Sequence, residues 1–191
     1  MEIYISTDIE TNGPIPSHHS MLSFGSAAFF LDNTIVSTFS YNLDLLPNAK
    51  EYPPTMEWWK TQPEAWAACR ENTVTPALAI SDYLAWLESL PGTPVFVAHP
   101  VAFDYAFISW YLWEFTGEDP FKRNTLDVGS FAAAVLNQPV TKAQKPDMPE
   151  DWFDPDFEHN HIALDDAIGH AKLVCNMIQA NLTVHSSSKI T

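Results

Sequence analysis

The chain has 191 residues, 46% hydrophobic and 13% aromatic, which suits one folded domain with a full core and excludes a disordered protein. It carries nine basic and 24 acidic residues, so its formal net charge at pH 7 is −15. This charge argues against non-specific binding to long polyanions, and it is compatible with a nucleic-acid enzyme only if bound cations offset it and the substrate is held at one end.

Alternating side chains predict β-strands in the first quarter of the chain. Residues 2–8 form a strand rich in β-branched and aromatic side chains, and a loop at 12–14 ends it. The apolar run 21–30 and the alternating run 34–43 are separated by a two-residue turn, and they predict a hairpin. This hairpin follows directly on the first strand.

The middle of the chain predicts helices around one buried strand. Thr55 is expected to cap one or two short helices that continue through Trp66, and a longer helix follows at 77–90. Residues 94–99 form a short, almost continuous apolar run, which is typical of a buried parallel strand. A dense aromatic helix is expected over 103–115.

The last third predicts a short strand at 125–128 that leads into another helix. Residues 138–160 carry four prolines and several acids, and we expect an irregular but ordered flap pinned by its aromatic residues. A C-terminal helix is expected over 163–182, followed by a flexible tail over 183–191. The order of elements predicts a single domain over 1–182 of the α/β class, with a mixed sheet of about five strands flanked by helices.

Cysteine usage and hydropathy predict the compartment. Cys69 and Cys175 lack the spacing of a metal site, so we expect two buried, reduced thiols. Acids at positions 8 and 10 interrupt the early apolar run, which argues against a signal peptide. No apolar stretch is long enough to span a bilayer. We therefore expect a cytoplasmic protein without a membrane partner.

Asp8 and Glu10 are two carboxylates one residue apart at the end of the first predicted strand. Alternate residues of a strand point to the same face, so the two side chains are expected to lie side by side. Adjacent like charges repel unless a cation lies between them or one takes up a proton. Hard divalent cations such as Mg²⁺ bind such oxygen ligands. Solvated turn chemistry explains many acidic pairs equally well, so the pair alone leaves both interpretations open.

Three further residues extend this pair into a candidate site. Asp104 follows the predicted strand that ends at His99, and sites in α/β proteins form at such strand ends. Asp166 lies near the first turn of the last predicted helix, and His161 precedes it by five residues. Five helical residues turn by about 140°, so His161 can face the same site as Asp166 only from the loop before the helix.

Four acids and a loop histidine form a recognisable chemical set. Two Mg²⁺ ions about 3.5–4 Å apart can hold the attacking water and the leaving 3′ oxygen of a phosphodiester. Four carboxylates offset the charge of two such ions. A histidine that titrates near neutral pH can take the proton from the water, and a loop would let it move in when substrate is present.

Three short motifs, in this order over nearly the whole chain, carry a family resemblance. They are Asp8-Ile9-Glu10-Thr11, then His99-Pro100-Val101-Ala102-Phe103-Asp104, then His161-Ile162-Ala163-Leu164-Asp165-Asp166. They resemble the motifs of the DEDDh 3′–5′ exonucleases, whose second motif is usually His-Asn-x-x-Phe-Asp and whose third is His-x-x-x-x-Asp. A fourth segment, Trp58 to Ala65, is similar to a Trp-Trp-Lys-x-Gln-x-x-Ala segment in a subgroup with phage exonucleases and bacterial exoribonucleases.

The resemblance implies an RNase H-like fold, two Mg²⁺ or Mn²⁺ ions and release of nucleoside 5′-monophosphates from the 3′ end of single-stranded RNA or DNA. It implies that His161 is the general base and that four catalytic acids are metal ligands, namely Asp8, Glu10, Asp104 and Asp166. Substrate contacts are implied for Thr11, Asn12, Ile15, His99 and Phe103, although packing alone would also explain His99 and Phe103. Relatives are often dimers, so a homodimer is a further expectation.

Two departures from the family pattern leave the base preference open. Pro100 stands where the second motif usually has Asn, which removes a side-chain amide near the site. Pro14 and Ile15 occupy the loop where relatives often place an apolar residue against the terminal base.

Simpler explanations apply to several neighbouring residues. Asp165 points about 100° away from Asp166 on a helix, so a favourable charge at the helix N-terminus explains it. Asp127 closes a strand and is expected to be a structural acceptor. Trp58 and Trp59 are expected in the core, although a stacking platform would suit a single-stranded 3′ end.

We therefore expect a two-metal 3′–5′ exonuclease, with single-stranded RNA or short oligonucleotides favoured by the acidic surface and the Trp-Trp segment. A DNA-specific 3′–5′ exonuclease is the alternative within the same class. A non-catalytic RNase H-like module that binds nucleic acid or protein is the alternative from another class, and it predicts missing acids or a missing histidine. All five residues are present. A metal-dependent phosphatase or nucleotidase, which would cleave only mononucleotides, is a third possibility.

Overall fold

The computed structural model describes residues 1–155, 157 and 159–187, and a mixed sheet of five strands organises them. The strands are β1 (Glu2–Thr11), β2 (Met21–Phe29), β3 (Ile35–Asn42), β4 (Thr93–Ala98) and β5 (Thr125–Asp127). Their order in the sheet is β3-β2-β1-β4-β5. The first three strands pair antiparallel, and β4 and β5 add in parallel beside β1. The predicted α/β class with a mixed five-stranded sheet is confirmed.

Six α-helices flank the sheet within the described residues: α1 (Pro53–Trp59), α2 (Pro63–Cys69), α3 (Pro76–Ser89), α4 (Val101–Thr116), α5 (Val128–Leu136) and α6 (Ala163–Ser187). Three short 3₁₀ helices lie between α5 and α6, at Val140–Lys142, Lys145–Asp147 and Glu150–Trp152. The predicted irregular segment is therefore built from ordered single turns.

Prolines set the start of several helices. α1 begins at Pro53 with Tyr52 as its N-cap, so the prediction that Thr55 caps this helix is wrong. Proline at the first helical position has its φ already near the helical value and lacks an N–H that would have no partner there. α3 begins at Pro76, and the Thr75 hydroxyl accepts a hydrogen bond from the backbone N–H of Leu78.

Helices cover both faces of the sheet, so β2 is buried along its whole length. On one face, side chains of α3 and α4 such as Tyr83 and Phe107 pack against Ile5 of β1 and Phe96 of β4. Burial on both faces is what the continuous apolar runs predicted.

On the other face, α5, α6 and the segment of 3₁₀ helices form a second core. Buried Met148 and Trp152 from that segment pack with Val174 of α6 and Val97 of β4. The irregular segment therefore has apolar anchors of its own. Trp152 is one of the aromatic residues predicted to pin it.

The C-terminal helix is longer than predicted. α6 continues to Ser187, beyond the expected end at Leu182, because no glycine or proline interrupts the sequence there. Residues 188–191 of the predicted tail lie outside the described residues, and the flexibility of the tail stays a prediction.

Both cysteines are buried and free, as predicted. Among the helices described, none has the length and apolar character needed to cross a membrane.

Candidate active site

Asp8 and Glu10 lie inside β1, which continues to Thr11, so the predicted end of this strand after Asp8 is corrected by three residues. Opposite them on β2 lie Gly25 and Ser23, both small. Small partners leave space above the two carboxylates on the face that they share. The start of α6 fills part of this space and brings Asp166 to the same place.

Asp8, Glu10 and Asp166 each place a carboxylate oxygen within 4.8 Å of the others. Asp166 is fully buried, and within the described residues its Oδ2 atom has no hydrogen-bond partner. Oxygen donors in this arrangement fit a hard divalent cation. A buried carboxylate oxygen with nothing to bind is costly unless such a ligand satisfies it.

Asp104 completes the set from the first turn of α4. It is buried, and its Oδ1 accepts a hydrogen bond of 3.2 Å from the backbone N–H of Ile9, the residue between the two acids of β1. This bond fixes the start of α4 against the middle of the site. Three separate elements, β1, α4 and α6, therefore bring the four predicted acids together.

Burial raises the pKa values of Asp8, Glu10 and Asp104, and neighbouring acids add to the shift for Asp8 and Glu10. Burial raises the pKa of Asp8 well above its usual value, and the neighbouring charges of Asp104, Glu10 and Asp166 raise it further. Burial, followed by the charges of Asp166 and Asp104, raises the pKa of Glu10 to about 8. Burial raises the pKa of Asp104 to about 7, opposed by backbone hydrogen bonds. Protons and divalent cations therefore compete for the same oxygens.

His161 lies on the loop before α6, with a positive φ of 58°. Its Nδ1 atom is 3.7 Å from Oε1 of Glu10. Burial lowers the pKa of His161, and the nearby His159 lowers it further, against the opposing charge of Asp166. A neutral imidazole beside the acids can accept a proton.

A second histidine, His159, lies closer to the acids than His161. Its Nδ1 atom is 2.7 Å from Oδ1 of Asp166, and its ring centroid is 4.2 Å from that of His161. His159, His161 and Asp166 form a second group whose ligand atoms all lie within 4.8 Å of one another. Among the described residues, both His159 and His161 therefore face the carboxylates.

A shallow cavity of about 230 Å³ lies beside Glu10. Its walls include Thr11, Pro14, Trp58 and Phe103. Trp58 is partly exposed and lies edge-on to His161, with ring centroids 4.9 Å apart. The expectation that Trp58 is a core residue is therefore wrong, whereas Trp59 is buried as expected.

The remaining predicted substrate contacts lie elsewhere. Asn12 is buried, and its side chain accepts a hydrogen bond of 2.7 Å from the backbone N–H of Ser20, so it holds the loop after β1. Ile15 is exposed and does not line the cavity. His99 does not line the cavity, and its ring centroid lies 6.4 Å from that of buried His170. Thr11 and Phe103 are the two that the structure places at the cavity.

Asp165 and Asp127, for which the sequence indicates structural roles, both make hydrogen bonds outside the acidic cluster. Asp165 is exposed and accepts a hydrogen bond of 2.8 Å from Asn160. The Asp127 carboxylate accepts hydrogen bonds from the backbone N–H groups of Ser130 and Val101, at 2.7 and 3.0 Å, so it caps α5 and ties it to the start of α4.

Comparisons with known proteins agree with this geometry. No family model matches the chain. The fold is similar to the nuclease domain of 3′hExo, a DEDDh family member bound to rAMP, with a TM-score of 0.65, 12% identity, and coverage of 93% of this chain and 91% of that chain. It is also similar to Pop2p of S. pombe in its Mg²⁺- and Mn²⁺-bound form, with a TM-score of 0.66, 14% identity, and coverage of 91% and 82%.

A closer sequence relative decides the family. The chain is 30% identical over 168 residues to the 3′–5′ DNA exonuclease Cap18 of Escherichia coli, and the match covers 83% of this chain and 86% of that protein. The chain belongs to the DEDDh family of 3′–5′ exonucleases. It is a metal-dependent 3′–5′ exonuclease, as the motifs predicted.

Two residues of this DEDDh exonuclease's site were missed by sequence reasoning. His159 could have been found, because it lies two residues before His161 on the same loop. Lys145 carries no such signal, since it lies in a segment without periodicity. In the structure Lys145 is half-buried and lines a cavity with His159. Burial lowers its pKa, against the opposing charges of Asp8, Asp166 and Asp104.

Proposed function

We propose that this exonuclease removes nucleotides from the 3′ end of single-stranded nucleic acid by a two-metal mechanism, with single-stranded DNA as the leading substrate. The observation that carries the proposal is the convergence of four acids from β1, α4 and α6, with His161 facing Glu10. The spacing of these residues in the sequence could not by itself show that their side chains lie together.

Asp8, Glu10, Asp104 and Asp166 would hold the cations, with Mg²⁺ or Mn²⁺ as the ions that such oxygen donors favour. Support comes from the buried Oδ2 of Asp166, which has no hydrogen-bond partner among the described residues, and from Pop2p, which has been seen with both ions. When bound, two divalent cations supply positive charge that makes the attacking water more acidic and stabilises the leaving 3′ oxygen.

His161 would act as the general base. The water oxygen attacks the terminal phosphorus, a new P–O bond forms, and the bond from phosphorus to the 3′ oxygen of the preceding nucleotide breaks. His161 takes the proton that the water loses, and the leaving 3′ oxygen takes a proton from solvent. The products are a nucleoside 5′-monophosphate and a strand one nucleotide shorter.

The cavity beside Glu10 would hold the terminal nucleoside. Trp58 and Phe103 offer aromatic surface for a base, and base–aromatic stacking tolerates any sequence. Glu10 forms part of the cavity wall, so a nucleoside seated there would leave its phosphate next to the acids. In a related fold, 3′hExo binds rAMP.

DNA is favoured over RNA because the relative at 30% identity is a DNA exonuclease. The preference for RNA expected from the sequence rests on the acidic surface and the Trp-Trp segment, and neither feature is specific for the 2′-hydroxyl that distinguishes the two sugars. RNA and short oligonucleotides remain the alternative substrates. A homodimer and a cytoplasmic location stay predictions from the sequence.

Cleavage of a short single-stranded DNA labelled at its 5′ end, beside an RNA of the same sequence, tests the proposal. The wild-type enzyme with Mn²⁺ should give a ladder that shortens from the 3′ end, faster on DNA. Asp166→Asn should abolish the ladder. Asp165→Asn is the matched control, since Asp165 is exposed next to Asp166, and it should cleave like wild type.

Other outcomes would separate the alternatives. Faster shortening of RNA would reverse the substrate preference. DNA and RNA that are bound but stay intact under Mg²⁺ and Mn²⁺ would favour the non-catalytic module. Release of phosphate from mononucleotides with intact polymers would favour a nucleotidase.

A further inference from the structure

The segment between α5 and α6 brings a basic side chain into the site of a very acidic enzyme. Lys145 begins the second 3₁₀ helix, Lys145–Asp147. Its neighbours Ala143 and Met148 are both buried, so the backbone on each side of Lys145 is anchored in the second core. Lys145 is therefore held in place, unlike an exposed lysine on a surface loop.

The cavity that Lys145 lines gives its position relative to the acids. Burial lowers the pKa of Lys145, and the charges of Asp8, Asp166 and Asp104 oppose this shift. Lys145 lines a cavity of about 380 Å³ together with His159, whose Nδ1 lies 2.7 Å from Oδ1 of Asp166. Lys145 thus lies on the Asp166 side of the acids, and the cavity proposed for the terminal nucleoside lies on the Glu10 side.

Charge explains why a cation at this position matters. The chain has only nine basic residues against 24 acidic ones, so its surface repels the phosphates that the enzyme must bring to the site. An ammonium group on the wall of the cavity that it shares with His159 offers a charge-assisted contact to a phosphate oxygen that enters the site. Divalent cations that neutralise the carboxylates would leave the charge of the lysine available to that oxygen.

We propose that Lys145 is a catalytic residue that contacts a non-bridging oxygen of the scissile phosphodiester and stabilises its negative charge during hydrolysis. This role rests on the proposed exonuclease function. In this role the irregular segment between α5 and α6, for which the sequence indicates no function, positions a cation next to the phosphate.

Three variants test the proposal: Lys145→Met, Lys145→Arg and the control Lys142→Met. Lys142 is an exposed lysine on the preceding 3₁₀ helix, so its loss changes the net charge equally without affecting the site. At saturating Mn²⁺, we expect Lys145→Met to lower kcat/KM on single-stranded DNA by about 10- to 100-fold, as expected for one hydrogen bond to a charged group. Lys145→Arg should recover much of this loss, and Lys142→Met should cleave like wild type.

A second readout does not depend on catalysis. Binding of the same DNA is measured by fluorescence anisotropy over a range of NaCl concentrations, in an inactive Asp8→Asn background. Loss of one phosphate contact should reduce the slope of log affinity against log salt by about 0.7 for Lys145→Met. Lys142→Met should leave the slope unchanged.

Several results would overturn the proposal. If Lys145→Met cleaves like wild type and binds Mn²⁺ more tightly, Lys145 only neutralises the metal-free acids. An unchanged salt slope also rejects the phosphate contact. If the wild-type enzyme cleaves neither DNA nor RNA, the proposed function fails, and the salt slope still decides whether Lys145 contacts phosphate. Thermal unfolding of each variant shows whether it folds, and Lys145→Arg provides a cationic variant should the methionine variant unfold.

Discussion

Gly25 on β2 pairs directly with Asp8 on β1, and a Cβ atom added to Gly25 would lie 2.3 Å from the backbone of Leu164. Directly paired residues of neighbouring strands point to the same face of a sheet. The first turn of α6 therefore lies over Asp8 because position 25 has no side chain. The same turn carries Asp166, so one glycine determines how closely two of the four acids can approach.

Gly25→Ala should therefore damage the site more than the fold. The added methyl group must push the start of α6 outwards and move Asp166 away from Asp8, and misplacement of a catalytic group by about 1 Å can cost about 100-fold in rate. Cleavage of 5′-labelled single-stranded DNA measures the effect. Gly117→Ala is the control, because a Cβ there meets nothing within 4 Å and only the positive φ of 73° opposes it.

The Gly117→Ala control should lose about 1 kcal/mol in the free energy of unfolding and keep its activity. A Gly25→Ala enzyme with normal activity would show that α6 does not need this close approach.

The adjacent tryptophans Trp58 and Trp59 should have separable roles. Trp59 is buried, and its indole N–H donates a hydrogen bond of 2.9 Å to the backbone carbonyl of Thr11. Trp59→Phe leaves that carbonyl without its donor, so we expect a loss of about 1–3 kcal/mol in the free energy of unfolding. Trp58→Ala removes aromatic surface from the cavity and the edge contact to His161.

We expect Trp58→Ala to change stability little and to lower kcat/KM by about 10-fold, the size of one base–aromatic contact. Thermal unfolding and DNA cleavage of both variants measure the two effects. Equal losses of stability in the two variants would contradict the division of roles.

Periodicity and motif spacing predicted most of what positions the acids. The alternating pattern of β1 places Asp8 and Glu10 on one face, and the helical turn angle requires His161 to precede α6, as it does. These predictions succeed because each depends on a few neighbouring residues. The predicted bounds of α1 and α6 were less accurate. α1 begins at Pro53, and α6 continues past Leu182 because no stop signal follows that residue.

Contacts between distant segments could not be predicted in the same way. Lys145 lines the cavity next to His159 because Ala143 and Met148 anchor its backbone in a core made by α5 and α6, and no local pattern encodes that packing. Trp58 and Trp59 are the same residue type at adjacent positions, yet only Trp59 is buried. Which one faces inward depends on how α1 lies against Thr11, which the sequence pattern leaves open.

His161 and His159 can be distinguished by rate and pH dependence. His161→Gln should lower kcat by about 100- to 10,000-fold, the usual contribution of a general base, whereas His159→Gln should have a smaller effect through Asp166. The pKa of His161 is lowered by burial, so it is neutral down to below its ordinary titration range. The acidic limb of the rate profile due to His161 should therefore lie below about pH 6.5 and disappear in His161→Gln. A larger rate loss in His159→Gln would assign the base to His159 instead.

The metal-free enzyme should lose stability as the pH rises. Glu10 has a pKa raised to about 8 and Asp104 one raised to about 7, both mainly by burial, so the folded state holds protons that the unfolded chain releases at lower pH. The stability linked to these protons is fully present below the ordinary carboxyl pKa values and is lost as the pH rises through about 7 and 8. We expect the Tm of EDTA-treated protein to fall between about pH 5 and about pH 9, by about 2–4 °C for each kcal/mol lost.

Glu10→Gln should flatten this fall, because glutamine carries no charge into the acidic cluster, and the variant should exceed the wild-type Tm at high pH. Glu118→Gln, at an exposed glutamate, is the control and should follow wild type. Added Mn²⁺ should raise the Tm of wild type most at high pH, where the carboxylates have released their protons. A metal-free Tm that stays constant or rises over this range would contradict the raised pKa values and the repulsion that causes them.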